Sequence, residues 1–245
     1  MLKDREPPES IDALHDMLEA YKEQINPDQF KNLKTYYRVL WLRYHNKTGG
    51  PYIQRRIFEI YREHLEQGYF YFGNQIPVHN FRNLVAFALK LGHLDWVKNF
   101  LETHPPERIS GTRYPAEVYS LNMADYLFSL KKYEEAADHL VYRNFENPTF
   151  NILADVLLVK IYYETRNDLL ESRMKALDQK IRRSKMNRRI KNRYYNFLKK
   201  LHQIIKYGWQ PGTPRFNRLV AQIKDAQEIV ARDWLLEKLS ANETT

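Results

Sequence analysis

The chain has 245 residues, 43% of them apolar and 28% charged, a balance ordinary for a folded protein with a sizeable core. It contains no cysteine, which excludes a disulfide scaffold, a thiol nucleophile and cysteine-ligated zinc or iron–sulfur sites. Its net charge of +9 is localised: residues 179–224 hold 14 Lys/Arg and no acid, whereas residues 1–178 hold 23 Lys/Arg against 25 Asp/Glu.

In chain order, Met1 to Glu6 is charged with no apolar stretch behind it, so no signal peptide is expected and the expected location is cytoplasmic. The longest apolar run, Ile152 to Val159, is interrupted by Asp155 and is too short for a membrane span. Ser10 reads as the cap of a first helix with Ile11, Leu14, Leu18, Tyr21 and Ile25 on one face. Asn26-Pro27 opens a second helix bearing Leu33, Tyr36, Tyr37, Leu40 and Tyr44. Gly49-Gly50-Pro51 breaks the chain before a third helix with Ile53, Ile57, Ile60 and Leu65. Gly68 to Pro77, rich in Tyr and Phe, reads as a loop packed over a helix end.

From Val78 a recurrence becomes legible. Leu91-Gly92-His93-Leu94-Asp95-Trp96-Val97 returns loosely 39 residues on as Leu130-Lys131-Lys132-Tyr133-Glu134-Glu135-Ala136, and more faintly as Thr165-Arg166-Asn167-Asp168-Leu169-Leu170. Each copy is a polar break between two apolar-periodic stretches, the mark of a tandem helix-turn-helix unit. Helices are expected at 79–91 and 94–104, at 115–130 and 133–145, and at 148–165 and 168–183, with no strand over 80–145. Within 115–130, Val118, Leu121, Ala124, Leu127 and Leu130 form one stripe and Tyr119, Met123, Tyr126 and Leu130 another, so this helix is expected to be buried on two sides.

The second unit resembles a tetratricopeptide repeat. Tyr133 stands at the aromatic opening of the second helix, Ala124 and Ala136 at the two small positions, Leu140 at the later apolar position and Pro148 at the closing proline. The first unit keeps Gly92 but has Val97 for the small alanine, the third has Ser172, and Ser120 stands where the family has a tryptophan. The chain is also similar in pattern to helical-repeat proteins of Bacteroidetes-type bacteria with a leucine-glycine-acid-tryptophan turn and a basic, aromatic-rich tail, a likeness that implies no activity. The expected fold is all-α: a right-handed α-solenoid of antiparallel helical hairpins, tetratricopeptide-like, with two C-terminal capping helices. The expected segments are 1–77 (N-terminal helices), 78–183 (repeats) and 184–245 (basic helix and cap).

No phosphate loop, His-Glu-x-x-His pair or nucleophile elbow is present, and the eight histidines show no metal-ligand spacing. A non-catalytic binding protein without cofactor or metal is therefore expected. Two binding surfaces are candidates. The repeat offset places Asn83 and Asn122 at matching positions, where the family resemblance implies contact with a peptide backbone in the concave groove, with Arg82 and Lys90 on the same helix as Asn83. This is the first reading, a scaffold for a peptide or protein segment. The second is a nucleic-acid or other polyanion site in the acid-free block. Ile190, Tyr194, Phe197, Leu201 and Ile204 form its apolar stripe, leaving Arg182, Arg183, Arg188, Arg189, Lys191, Lys199 and Lys200 outward, with Tyr194, Tyr195 and Trp209 as candidates for base stacking. Thr213-Pro214 then caps a final helix running through Phe216, Leu219, Ile223, Ala226, Val230, Trp234 and Leu239, and residues 241–245 are expected to fray.

Overall fold

The computed structural model describes residues 8–141, 145–207, 212–226 and 228–240, so the expectations for Met1 to Glu6, Trp209 and residues 241–245 lie outside it. Twelve α-helices and two strands of two residues each occur among the described residues, and the fold is all-α. The chain divides into two compact units, Met1–Glu146 and Asn147–Thr245. That division falls inside the expected 78–183 segment and not at either of its ends.

The first unit contains α1 (Pro8–Ala20), α2 (Pro27–Thr48), α3 (Pro51–Glu66), α4 (Val78–Lys90), α5 (Leu94–Thr103), α6 (Pro115–Ser129) and α7 (Tyr133–Val141). Proline opens α2, α3 and α6, where its fixed φ suits a helix start and its missing N–H is not needed. Asn26 caps α2 by accepting the Asp28 N–H at 3.0 Å. On α1 only Ile11 and Leu18 of the expected stripe are buried; the helix ends at Ala20 and Tyr21 is exposed.

The face of α2 differs from expectation. Phe30, Lys34, Tyr37, Arg38 and Trp41 are buried, while Leu33 and Tyr36 lie outside. Counting apolar residues selects the wrong stripe because two cations are held inside by partners from α1 and α3. Of the two strands, β1 (Ile76–Pro77) and β2 (Ile109–Ser110), the second corrects the expectation that 80–145 is free of strand. They pair in parallel and satisfy each other's backbone where the two connectors run together over buried Ile76 and Ile109. In the aromatic connector Phe70 is buried and Phe72 exposed.

The recurrence noted at three places in the sequence is a recurrence of one backbone turn. Gly92, Lys131 and Arg166 have φ of 75°, 61° and 52°. In each case the next N–H reaches back across the turn: His93 to the Ala88 carbonyl at 3.0 Å, Lys132 to Leu127 at 2.9 Å and Asn167 to Tyr162 at 2.9 Å. A second bond runs inside it, from Gly92 to Leu89, Lys131 to Phe128 and Arg166 to Tyr163. This is the Schellman closure of a helix C-terminus, and it leads directly into the next helix. In the first two copies α4 packs on α5 and α6 on α4, α5 and α7. Val97 and Ala136 are buried at matching points, as are Leu101 and Leu140.

The second unit contains α8 (Pro148–Glu164), α9 (Leu170–Arg183), α10 (Arg188–Tyr207), α11 (Pro214–Lys224) and α12 (Arg232–Ser240). Asn147 and Thr213 cap α8 and α11 through Thr149, Phe150 and Phe216 N–H groups, each with proline behind the cap. The α8 run Ile152 to Val159 is buried apart from Leu153, which is partly covered. Its Asp155 is met by Lys180 and by Arg173 at 3.5 Å, both on α9. Here the third copy of the repeat departs. Ser172 is exposed, and Met174, Leu177 and Ile181 face the core instead. The expected single final helix is two helices. The chain breaks at Asp225–Ala231, where the Val230 N–H bonds to the Arg193 carbonyl at 3.3 Å and Ala231 takes φ of 53°. α12 is tied to α8 by Glu164, which accepts from the Trp234 indole and the Lys238 amine, each at 2.6 Å.

Leu101→Ala and Leu140→Ala are each expected to cost about 2–5 kcal/mol in denaturant unfolding, because neither site is open to solvent. Lys131→Gly is expected to stabilise by about 1 kcal/mol, relieving the left-handed strain that Gly92 avoids in the first copy; a loss of stability would show that the Lys131 side chain matters more than its backbone.

Candidate functional site

α10 is strongly two-sided. Tyr194, Phe197, Leu201 and Ile204 are buried, and Ile190, expected with them, is exposed at the helix's first turn. Tyr194 is only 7% exposed and so is not available to stack on a base; Tyr195 is half-buried. Asn187 caps the helix by accepting the Ile190 N–H at 2.9 Å. Its first turn carries Arg188 and Arg189 and no acid, so two cations sit beside the positive helix end.

The partners of these bases decide what the block is. Arg189, 81% exposed along its side chain, meets Glu228 at 2.7 Å, and Arg182 meets Asp178 on its own helix at 2.8 Å. Lys191 donates to the Arg182 carbonyl at 2.9 Å, and Lys200 to the Gln222 amide oxygen at 2.5 Å and to Gln203 at 3.3 Å. Arg183, Arg188 and Lys199 are exposed and make no ion pair or side-chain hydrogen bond with another described residue. Burial first, and then the neighbouring Lys199 ammonium, hold the Lys200 amine below its ordinary pKa. The positive field here is therefore largely unneutralised, with carboxylates meeting only two of the seven candidate bases among the described residues.

The two asparagines differ in burial and in partner. Asn122 is 4% exposed and donates to the Val118 carbonyl of its own helix at 2.7 Å. Asn83 is half-buried and donates to the Tyr61 hydroxyl at 2.8 Å. Each amide nitrogen therefore donates inside the fold, one to another helix and one to its own. Arg82 is half-buried and Lys90 exposed, and both have partners in the structure.

A second polar cluster, in the first unit, was not anticipated from sequence. The Lys34 side chain is fully buried, its ammonium 2.8 Å from Glu19 on α1 and 2.6 Å from Glu63 on α3, with His15 Nδ1 at 3.1 Å. Burial opposes the charged Glu19 carboxylate, but Lys34 brings its pKa below the usual value. One helical turn on, Arg38 Nη1 donates to His64 Nδ1 at 2.9 Å and the guanidinium lies 4.5 Å from the Phe70 ring centre and 5.2 Å from that of Tyr61. Its Nε is buried without a hydrogen-bond partner among the described residues. Beside Lys34, the Tyr37 hydroxyl donates to Asp12 at 3.1 Å, and Arg56 reaches the same oxygen at 3.0 Å. The only sequence signal was two cations at helical spacing, Lys34 and Arg38, within an otherwise aromatic stripe. The cluster clasps three helices together, α1 through Glu19, α2 through Lys34 and α3 through Glu63. Among the described residues no group of three or more His, Asp or Glu is arranged to hold a metal ion.

No family model, curated protein or solved structure matches this chain. Among the described residues no helix is long and apolar enough to cross a membrane.

Burial, and then the charges of Arg38, Lys34 and His15, lower the His64 pKa to about 3. The unfolded chain takes up a proton near pH 6.5 and the folded one does not, so stability is complete above that pH and falls as pH drops towards 3. This group alone is expected to remove about 2 kcal/mol between pH 7 and pH 5. Urea unfolding of wild type and His64→Gln at both pH values checks it; equal pH dependence in the two proteins would contradict the assignment.

Proposed function

We propose that this protein is a non-catalytic helical scaffold that binds a polyanion, nucleic acid first, through the cationic face of α9 and α10. The observation that carries the reading is the partnering of the block: fourteen bases without an acid in residues 179–224, and carboxylates reaching only Arg182 and Arg189 among the seven candidates. A merely solvated helix face normally intersperses both signs, because like charges along one surface repel. Counterion release on contact with phosphates turns that repulsion into binding free energy.

The same proposal takes α4–α5 and α6–α7 as successive hairpins of a right-handed, tetratricopeptide-like solenoid, with α8–α9 as a further pair in the second unit. The shared turn at Gly92, Lys131 and Arg166 supports it. A peptide or protein held in a concave groove by Asn83, Asn122, Arg82 and Lys90 is the weaker reading, since both asparagine amides donate within the fold.

A fluorescence titration with single-stranded oligonucleotide and with heparin, across a range of salt, tests the proposal. Wild-type affinity is expected to fall steeply with salt. The Arg182→Gln, Arg183→Gln, Arg188→Gln, Arg189→Gln variant is expected to bind at least about tenfold more weakly, with a slope shallower by about 0.7–0.9 for each phosphate it no longer neutralises. Equal, weak binding by both proteins would return the block to a solvated surface.

A further inference from the structure

We propose that the first unit binds a small oxyanion that keeps one hydroxyl, hydrogen phosphate being the type, where Arg38 meets the start of α4. The inference is independent of the basic block on α9 and α10.

Arg38 is 4% exposed, and no carboxylate among the described residues pairs with it. The two nearby acids, Glu19 and Glu63, belong to Lys34. The guanidinium is met by neutral groups alone: Phe70 and Tyr61 through their rings and His64 at one edge, while Nε has no hydrogen-bond partner among the described residues. An arginine stays charged when buried, and a fully buried one is almost always paired with an anion. The unpaired charge here marks a place suited to one.

The start of α4 lies at the same level. The Phe58 ring is 5.0 Å from that of His93, whereas Tyr61, one turn further along α3, is 6.1 Å from Phe87 and bonded to Asn83. Moving forward along α3 is therefore moving back along α4, and the next turn brings His64 level with His79 and Asn80. Burial, and then the Arg38 charge, lower the His79 pKa, which agrees with a guanidinium close to that first turn. α4 runs for 13 residues, its first turn holds no acid, and no side chain caps it. Its leading N–H groups and positive end thus face the same region as the unpaired guanidinium, and an anion answers both.

The remaining orphan atoms narrow the chemistry. Asn80 is 3% exposed and its Oδ1 has no donor among the described residues. His64 Nδ1 accepts from Arg38, so the ring proton is on Nε2, and this buried N–H also lacks a partner among the described residues. Two N–H donors and one carbonyl acceptor at one level call for a ligand that accepts from the first two and donates to the third. Hydrogen phosphate does so; sulfate and chloride have no proton to give Asn80. Half-buried Val78 and His79 form the rim through which solvent reaches this level.

The test follows the ring resonances of His64 and His79 by NMR in the full chain at neutral pH, titrating phosphate, sulfate and chloride in turn. Phosphate is expected to shift both rings saturably, with affinity about tenfold or more above sulfate, because only sulfate leaves the Asn80 oxygen unpaired. The Arg182→Gln, Arg183→Gln, Arg188→Gln, Arg189→Gln variant should give the same curve. Arg38→Met and Asn80→Asp should each weaken phosphate binding about tenfold or more, the first by removing the cation and the second by adding a like charge. Thermal melts check that both variants are folded; Asn80→Asp preserves size and decides the matter if Arg38→Met does not fold. No saturable shift with any anion, or an unchanged phosphate curve in Asn80→Asp, overturns the site. Equal affinity for sulfate overturns selection of the hydroxyl. Loss of binding in the four-glutamine variant assigns the ion to α9 and α10 and overturns the proposal as well.

Discussion

The organisation of the helical pairs depends on one backbone feature, a left-handed residue just past the end of a helix. At Gly92, Lys131 and Arg166 the same two hydrogen bonds close the helix and redirect the chain. Only glycine adopts this conformation without strain, yet two of the three positions carry long cationic side chains. Their strain is borne because the helices on either side are anchored by buried residues: Leu127 and Ala136 around the second turn, Ile161 and Met174 around the third. The end of α3 uses the same closure at Gly68, but there the chain runs into the aromatic connector and not into a helix.

That turn explains what the sequence made legible. Helix positions from Val78 to Arg183 followed from polar breaks at regular intervals, and proline with a preceding Asn or Thr marked helix starts reliably. Interior faces were harder. On α2 the apolar count favoured Leu33 and Tyr36, but Lys34 and Arg38 are inside because carboxylates and rings from distant helices receive them. No local pattern reveals partners such as Glu19 and Glu63, which lie several helical turns away along the chain. The final helix misled in the same way: its apolar spacing is continuous, while the break at Ala231 depends on a bond to Arg193.

The basic block shows the same boundary between local and non-local information. Its lack of acid is a compositional fact, and the buried stripe of α10 follows from periodicity. Which cations are neutralised does not, because Glu228 reaches Arg189 from 39 residues on. The asparagine pair is the converse case. Superposing the repeats in sequence places Asn83 and Asn122 in register, and local chemistry separates them: one amide turns to its own helix and the other to Tyr61.

The clasp at Lys34 carries a consequence for how the first unit opens. Helix α1 brings little apolar surface to the fold, with Ile11 and Leu18 its buried apolar residues among those described, and is held largely by polar contacts through Glu19, Asp12 and His15. Charged contacts with partly exposed carboxylates weaken in salt, whereas apolar packing does not. Detaching α1 therefore exposes little apolar surface. When it lifts away, the Lys34 amine meets solvent, so acylating reagents that spare this lysine in the closed molecule become reporters of how often the first helix leaves.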